Sequence, residues 1–196
     1  NILNEYNIRK EIHDPRKHNL KYNITKFLQD RERQGASPLT IDGYGRHLNI
    51  FANMVDKKVQ DITKDDILQC LDVRGEGRQL TTLETIRSIL RVFFCWLEDE
   101  EIIMDNPMLK IRPYRLPKAM TRALTVEQLE IVRENCHTIR EKTLVETLYS
   151  TGCRLEEITR INVEDINWNN RSIKVLGKGN KERLVFFSAR CSLYLK

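Results

Sequence analysis

Two short stretches of the chain carry residue types in an order that could do chemistry. Thr151-Gly152-Cys153-Arg154-Leu155-Glu156-Glu157-Ile158 sets an arginine directly after a Gly-Cys break, with two carboxylates behind it. Further on, Val175-Leu176-Gly177-Lys178-Gly179-Asn180-Lys181-Glu182-Arg183 sets a lysine between two glycines and follows it with more cationic residues. A guanidinium is planar and permanently charged, and it offers paired N–H donors to two oxygens of one anion. An ammonium on a short turn can deliver a proton to an oxygen brought beside it. Taken singly, each stretch has an ordinary reading: an arginine at the exposed start of a helix, and a soluble hairpin turn. The two together, in this order, weigh against the ordinary reading of each.

The other reactive residue types do not assemble a second centre. Five cysteines (Cys70, Cys95, Cys136, Cys153, Cys191) lie at wide spacings with no C-x-x-C pair and an odd total, the pattern of reduced thiols. The histidines (His13, His18, His47, His137) do not share metal-ligand spacing with cysteines or acids, so a protein without metal or other cofactor is expected.

The elements that must position Arg154 and Lys178 follow from periodicity. Up to about residue 104, apolar residues recur at three- and four-residue steps, which predicts an all-α first domain. Its first helix runs from about Leu20 to Arg33 and stops at Gly35. A second starts at Ser37-Pro38 and turns Ile41, Tyr44, Leu48, Phe51, Ala52 and Val55 to a core, leaving Arg46 and His47 on the other side. Thr63 and Asp66 approximate a capping box for a third, ending near Gly75-Glu76-Gly77. A fourth, from Thr81 or Thr82, stripes Leu83, Ile86, Leu90, Phe93, Phe94 and Leu97 and runs until Asn106-Pro107 stops it; Arg87 and Arg91 lie four apart on it.

Residues 107–122 then hold three of the five prolines and five basic residues without an acid, and read as an extended basic linker. Beyond it, Thr125 with Gln128 caps a helix carrying Leu129, Ile131 and Val132. Another follows from about Thr138 to Ser150, carrying Ile139, Leu144, Val145 and Leu148, and Gly152 breaks it. Arg154 opens a short helix, and Val163 to Trp168, Ser172 to Leu176 and Arg183 to Phe187 read as strands of a small antiparallel sheet. The fold class is mainly α: an all-α domain (1–106), a basic linker (107–122) and an α+β domain (123–196).

Composition sets the frame for these elements. The chain has 196 residues, with 33 Lys and Arg against 28 Asp and Glu for a net charge of +5, 40% hydrophobic and 31% charged residues. Mean hydropathy is −0.50 and the pI is near 9.0. Disorder, collagen-like sequence and a disulfide scaffold fit poorly. No apolar run reaches the roughly 18 residues of a membrane span, and the first residues lack the apolar core of a signal peptide, so a cytoplasmic protein without a membrane partner is expected. The basic balance hints at a polyanionic partner.

The two stretches together resemble the tyrosine recombinases, the family of phage integrases and Xer-type resolvases. Leu124-Thr125 opening the second domain, the Gly-x-Arg box and the lysine hairpin match in order and spacing. Ser37-Pro38-Leu39-Thr40-Ile41 with Tyr44, and Thr85-Ile86 with Phe93-Phe94-x-Trp96-Leu97, look like the family's helical core-binding domain. The resemblance implies a site-specific recombinase of mobile-element type that cuts and rejoins double-stranded DNA by transesterification through a phosphotyrosine intermediate. Arg154 is then the first catalytic arginine, Lys178 the hairpin lysine and Glu157 a residue orienting the arginine. The resemblance also implies a clamp on the duplex, an inverted-repeat site, and a homo-tetramer on DNA for the full-length protein, associated with the nucleoid. Candidate DNA contacts are Arg46, His47, Arg78, Arg87 and Arg91 in the helical domain, and Lys110, Arg112, Lys118 and Arg122 in the linker. Lys181 and Arg183 by the hairpin complete the set, with ion pairing to Glu182 or Asp165 as the alternative for these two; Thr81 and Thr82 either cap a helix or bind phosphate.

The family also needs a His-x-x-Arg box, a further His or Trp and a nucleophilic tyrosine, all beyond the hairpin. His137-Thr138-Ile139-Arg140 has that box's spacing but precedes Arg154, and Tyr194 directly follows the last strand, where packing is its expected role. The chain as written is therefore expected to bind DNA without cleaving it. An alternative is a naturally truncated, non-catalytic DNA-binding inhibitor of a full-length recombinase. A helical interaction module with no nucleic-acid role is the third reading.

Overall fold

A computed structural model describes residues 18–117, 122–177, 179 and 181–196, which form two compact units divided at Lys118 and Ala119. Of the sequence-derived site residues, Lys118 and Lys178 lie outside the described residues.

The first unit is a helical bundle: α1 (Leu20–Arg33), α2 (Pro38–Met54), α3 (Lys64–Gly75) and α4 (Leu80–Asp99). Side chains set the helix starts. Asn19 accepts from the Tyr22 amide, Ser37 from the Thr40 amide ahead of Pro38, and Thr63 and Asp66 cap each other reciprocally. The most apolar helix, α4, runs through the middle. Its Phe93, Phe94 and Leu97 are fully buried with Phe27 of α1, Phe51 of α2 and Leu71 of α3. The rings pack edge to face, Phe27 against Phe93 at 5.4 Å and Phe51 against Phe94 at 6.0 Å between centroids, a geometry that adds to the burial itself.

Two expectations for this unit are corrected. The α4 helix ends at Asp99, well before Asn106-Pro107, because Glu101 takes φ +53° and turns the chain. The Ile102 and Ile103 amides then both donate to the Leu97 carbonyl, which brings these isoleucines back into the core. The proline-rich stretch does not start out extended. Pro107–Lys110 is a 3-10 helix capped by Asn106, with Met108 and Ile111 buried in the same core.

The second unit contains α5 (Val126–Glu134), α6 (Ile139–Thr151), α7 (Leu155–Thr159), strands β1 (Ile166–Asn167), β2 (Ser172–Leu176) and β3 (Glu182–Phe186), and α8 (Ala189–Leu195). The sheet is antiparallel in the order β1-β2-β3, with Ile173 opposite Val185 and Val175 opposite Arg183. Val163–Asp165, expected as strand, is a 3-10 turn leading into the two-residue β1. Cys153, Ile173, Val175, Val185, Phe187 and Cys191 form the core.

The buried face of α6 departs from the apolar pattern. Ile139 and Leu144 are exposed, and so are Ile131 and Val132 of α5. Glu146 and Thr147 are buried instead, each with partners that satisfy it. Glu146 receives both Nε and Nη2 of Arg133, at 2.6 and 3.0 Å, and Thr147 Oγ1 donates to the Thr143 carbonyl at 2.7 Å.

Candidate active site and nucleic-acid interface

Gly152 closes α6 in the left-handed region at φ +62°, a conformation that glycine adopts without Cβ strain. The chain leaves that turn extended, buries Cys153 and reaches Arg154 at the N-cap of α7. Glu157, one turn into α7, is buried on the same side and organises the site. Its Oε2 accepts the Arg154 amide at 2.8 Å and its Oε1 accepts Arg154 Nη1 at 3.0 Å. From β3, Arg183 adds a two-pronged contact, Nη1 to Oε1 at 2.9 Å and Nη2 to Oε2 at 2.7 Å. Both carboxylate oxygens are thus used twice. The Arg183 guanidinium first, and the Arg154 amide next, hold the Glu157 carboxyl at about 2, far below the ordinary carboxylate range. A carboxylate with this pKa and these partners orients cations and does not exchange protons near neutral pH.

Arg154 itself is the open end of this arrangement. Its side chain is 74% exposed against 6% for Glu157, and one N–H is tied to that carboxylate. Among the described residues its other guanidinium donors have no partner, so they are available to an anion from solvent. The hairpin root lies on the same carboxylate: the Gly177 amide donates to the Lys181 carbonyl at 2.8 Å, and a Cβ at Gly177 would sit 3.6 Å from Glu157 Oε1. The alternative for Arg183, an ion pair with Glu182 or Asp165, is not what forms. Glu182 pairs with Lys174 at 2.7 Å, and Asp165 accepts the Asn162 amide. Lys181 is exposed.

In the helical unit the candidate contacts divide into exposed cations and bound ones. Arg46, Arg78 and Arg91 are exposed, as are Lys110, Arg112 and, in the second unit, Arg122. Arg46 reaches Asp42 at 3.5 Å on a wholly open surface, a contact of little energetic weight. Arg87, a candidate DNA contact four residues before Arg91, is buried, with Nε at 2.9 Å and Nη2 at 2.7 Å from the Glu84 carboxylate. Glu84 also accepts the Tyr114 amide at 2.9 Å and so ties the proline-rich stretch to α4.

His47, half-buried, takes part in a group that residue type alone did not single out, because Arg74 carries an apolar-face position of α3. Arg74 is buried and its Nη2 lies 2.7 Å from His47 Nδ1. Burial first, then the charges of Arg74, Arg46 and Arg78, push the His47 pKa below its ordinary value of 6.5. Thr81 and Thr82 lie within the first turn of α4, whose N-cap is Gln79. His137 and Arg140 flank the start of α6 on exposed surface, and Tyr194 lies in α8 with its carbonyl accepting Thr143 Oγ1 at 2.8 Å. Among the described residues no group of three or more His, Cys, Asp or Glu side chains could hold a metal ion, and no helix is long and apolar enough to cross a membrane.

A helical bundle followed by a small α+β unit with an arginine box at a helix start and a glycine-lysine hairpin defines a class. Residues 24–101 match the phage integrase N-terminal SAM-like domain, and residues 119–196 match the phage integrase family. The chain belongs to this family, the tyrosine recombinases. It is 32% identical over 176 residues to the tyrosine recombinase XerC of Thermodesulfovibrio yellowstonii, covering 85% of this chain and 58% of the relative. It is 29% identical over 175 residues to the tyrosine recombinase XerD of Halalkalibacterium halodurans, covering 83% of this chain and 58% of the relative. The fold is also that of a lambda integrase crystallised as a tetramer bound to a Holliday junction, with a TM-score of 0.72 at 18% identity over 87% of this chain and 51% of that one. The chain thus spans somewhat more than half the length of the curated relatives it matches.

Proposed function

We propose that this chain is the helical DNA-binding domain and the first half of the catalytic domain of a site-specific recombinase, acting in the cytoplasm on double-stranded DNA. The observation that carries the reading is Arg154: exposed, charged, and held by a buried carboxylate that also holds the hairpin strand. In the reaction a tyrosine oxygen forms a bond to a DNA phosphorus as the bond from phosphorus to the 5′ oxygen breaks. Charge grows on the two non-bridging oxygens, and the guanidinium of Arg154 stabilises it through its free donors. The 5′ oxygen leaves with a proton, the role assigned to Lys178. Because the phosphotyrosyl ester conserves the energy of the broken bond, reversal with a new 5′ hydroxyl reseals the strand without ATP.

Arg46, Arg78, Arg91, Lys110, Arg112 and Arg122 are proposed as phosphate contacts, on the support of their exposure. Recombination by a homo-tetramer on an inverted-repeat site belongs to the same proposal. The 196 residues by themselves are proposed to occupy DNA without cutting it. His137 and Arg140 lie in the segment before Arg154, and Tyr194 sits on a helix of seven residues behind β3.

The test is to read the source gene through and beyond the codon for Lys196, express any longer frame, and trap covalent adducts on a suicide duplex. Arg154→Ala is expected to slow adduct formation by about a hundredfold or more. An undiminished rate would remove Arg154 from the chemistry. Adducts formed by the 196 residues alone would overturn their assignment as non-cleaving.

A further inference from the structure

We propose that Arg183 is a positioning residue, not a DNA contact: it fastens the root of the β2–β3 hairpin to the Arg154 box through the shared carboxylate of Glu157. The functional weight of this fastening rests on the reading of Arg154 given above; its geometry does not.

The stereochemistry is specific to arginine. The two Nη atoms of Arg183 meet the two carboxylate oxygens of Glu157 separately, at 2.9 and 2.7 Å, which is the fork-to-fork arrangement that fixes orientation as well as distance. Glu157 Oε1 is at the same time 3.0 Å from Arg154 Nη1, so one oxygen joins a residue of β3 to the residue that caps α7. The linkage crosses 26 positions of sequence and is the charged contact by which the hairpin registers against the arginine box. Its neighbours leave little slack. A Cβ at Gly177 would lie 3.0 Å from Arg183 Nη1 and 3.4 Å from the Lys181 carbonyl, so the first residue of the turn is packed directly on the guanidinium. Cys153, the residue before Arg154, presents its buried thiol 3.8 Å from Arg183 Nη2 and closes the other side.

An arginine spent in this way has its charge neutralised within the protein. It offsets the charge of Glu157, so that the pair taken together adds little to the attraction for a polyanion, whereas the contact fixes the hairpin root relative to Arg154. Lysine would preserve the charge but not the fork.

The experiment uses the 196-residue chain, with Arg183→Gln, Arg183→Lys and Glu157→Gln. Amide exchange at Gly177 and along β3 is expected to speed up about tenfold or more in Arg183→Gln, with α6 unchanged, and Arg183→Lys should not restore protection. The guanidinium NMR signals of Arg154 should shift in Arg183→Gln, which a role confined to stability would not produce. Binding to a mixed-sequence duplex should retain the salt dependence of the unsubstituted chain when Arg183→Gln is combined with Glu157→Gln, which removes both charges of the pair and leaves the net charge unchanged. Three results would each overturn the proposal: a salt slope lower by about one in that double variant, as for a phosphate contact; unchanged exchange at the hairpin; or uniform acceleration through α6 with unmoved Arg154 signals. If the unsubstituted chain fails to bind DNA even at low salt, the DNA reading fails, and the exchange and Arg154 signals still decide the role of Arg183.

Discussion

Replacing Glu84 by glutamine tests whether a buried arginine in the helical unit is held by one carboxylate. Glu84 accepts Nε and Nη2 of Arg87, the Ser88 hydroxyl and the Tyr114 amide, and Arg87 is 5% exposed. These contacts, the Arg87 bonds above all, bring the Glu84 carboxyl from 4.5 to about 2. By linkage such a drop is worth at most about 3 kcal/mol, and solvent reaching the pair reduces it to about 2 kcal/mol. The sign is that of a depressed carboxylate: the contribution is complete above pH 4.5, where the unfolded side chain is ionised, and fades as pH falls towards 2. Glu84→Gln is therefore expected to lose about 2 kcal/mol at pH 7 and less than half of that at pH 3. Amide exchange at Phe93 and Phe94 as a function of urea reads the helical unit by itself, and the Tyr114 amide should lose protection in the same variant. A deficit that is equal at the two pH values would refute the ionic origin. No deficit at all would mean that Arg87 finds other partners.

Three further outcomes follow from the same geometry. Arg46→Gln and Arg91→Gln should each lower the slope of log affinity against log salt for duplex DNA by about one, whereas Arg87→Gln should leave the slope unchanged and cost stability, as anisotropy titrations and urea midpoints would show. His47 is held neutral by burial and by the charges of Arg74, Arg46 and Arg78, so a phosphate placed among those arginines should raise its pKa. DNA affinity should then rise as pH falls from about 7 to 6, with proton uptake measurable by calorimetry in two buffers, and His47→Gln should abolish the rise. Gly177→Ala, which crowds Arg183, should cost about 1 kcal/mol and raise amide exchange along β3; an unchanged hairpin would show that the Arg183–Glu157 fork tolerates a methyl group beside it.

Much of the scaffold was legible in local chemistry. Ser37-Pro38, the reciprocal Thr63 and Asp66 cap, the Thr125 and Gln128 cap, and Gly152 mark helix boundaries because the groups that satisfy terminal amides and carbonyls lie within a few residues of them. The end of α4 was not legible, since Ile102 and Ile103 continue an apolar stripe and nothing in the type of Glu101 announces a positive φ. On α6 the polar residues Glu146 and Thr147 face inward because Arg133 and local carbonyls satisfy them, a compensation that periodicity does not register. Arg87 and Arg91 share one spacing pattern and have opposite fates. The signal was Glu84, three residues before Arg87, a separation at which helical side chains meet. For Arg183 no local signal existed, because its carboxylate lies on another element.

These pairings bear on how a net charge of +5 can serve a polyanion. Buried or half-buried carboxylates take up particular arginines: Glu84 takes Arg87, Glu146 takes Arg133, and Glu157 takes Arg183. Each of these arginines is neutralised where it stands, and the acid that neutralises it is withdrawn from the surface. Each such pair removes one cation and one acid together and leaves the net charge at +5, so the charge presented outward is carried by exposed cations such as Arg46, Arg78, Arg91 and Arg154. Glu157 shows the device at its most economical. One carboxylate with a pKa of about 2 holds Arg183 with both oxygens and Arg154 with a single guanidinium contact. The same interaction that cancels the charge of one arginine thereby aims the other, whose remaining donors face solvent and any phosphate that arrives there.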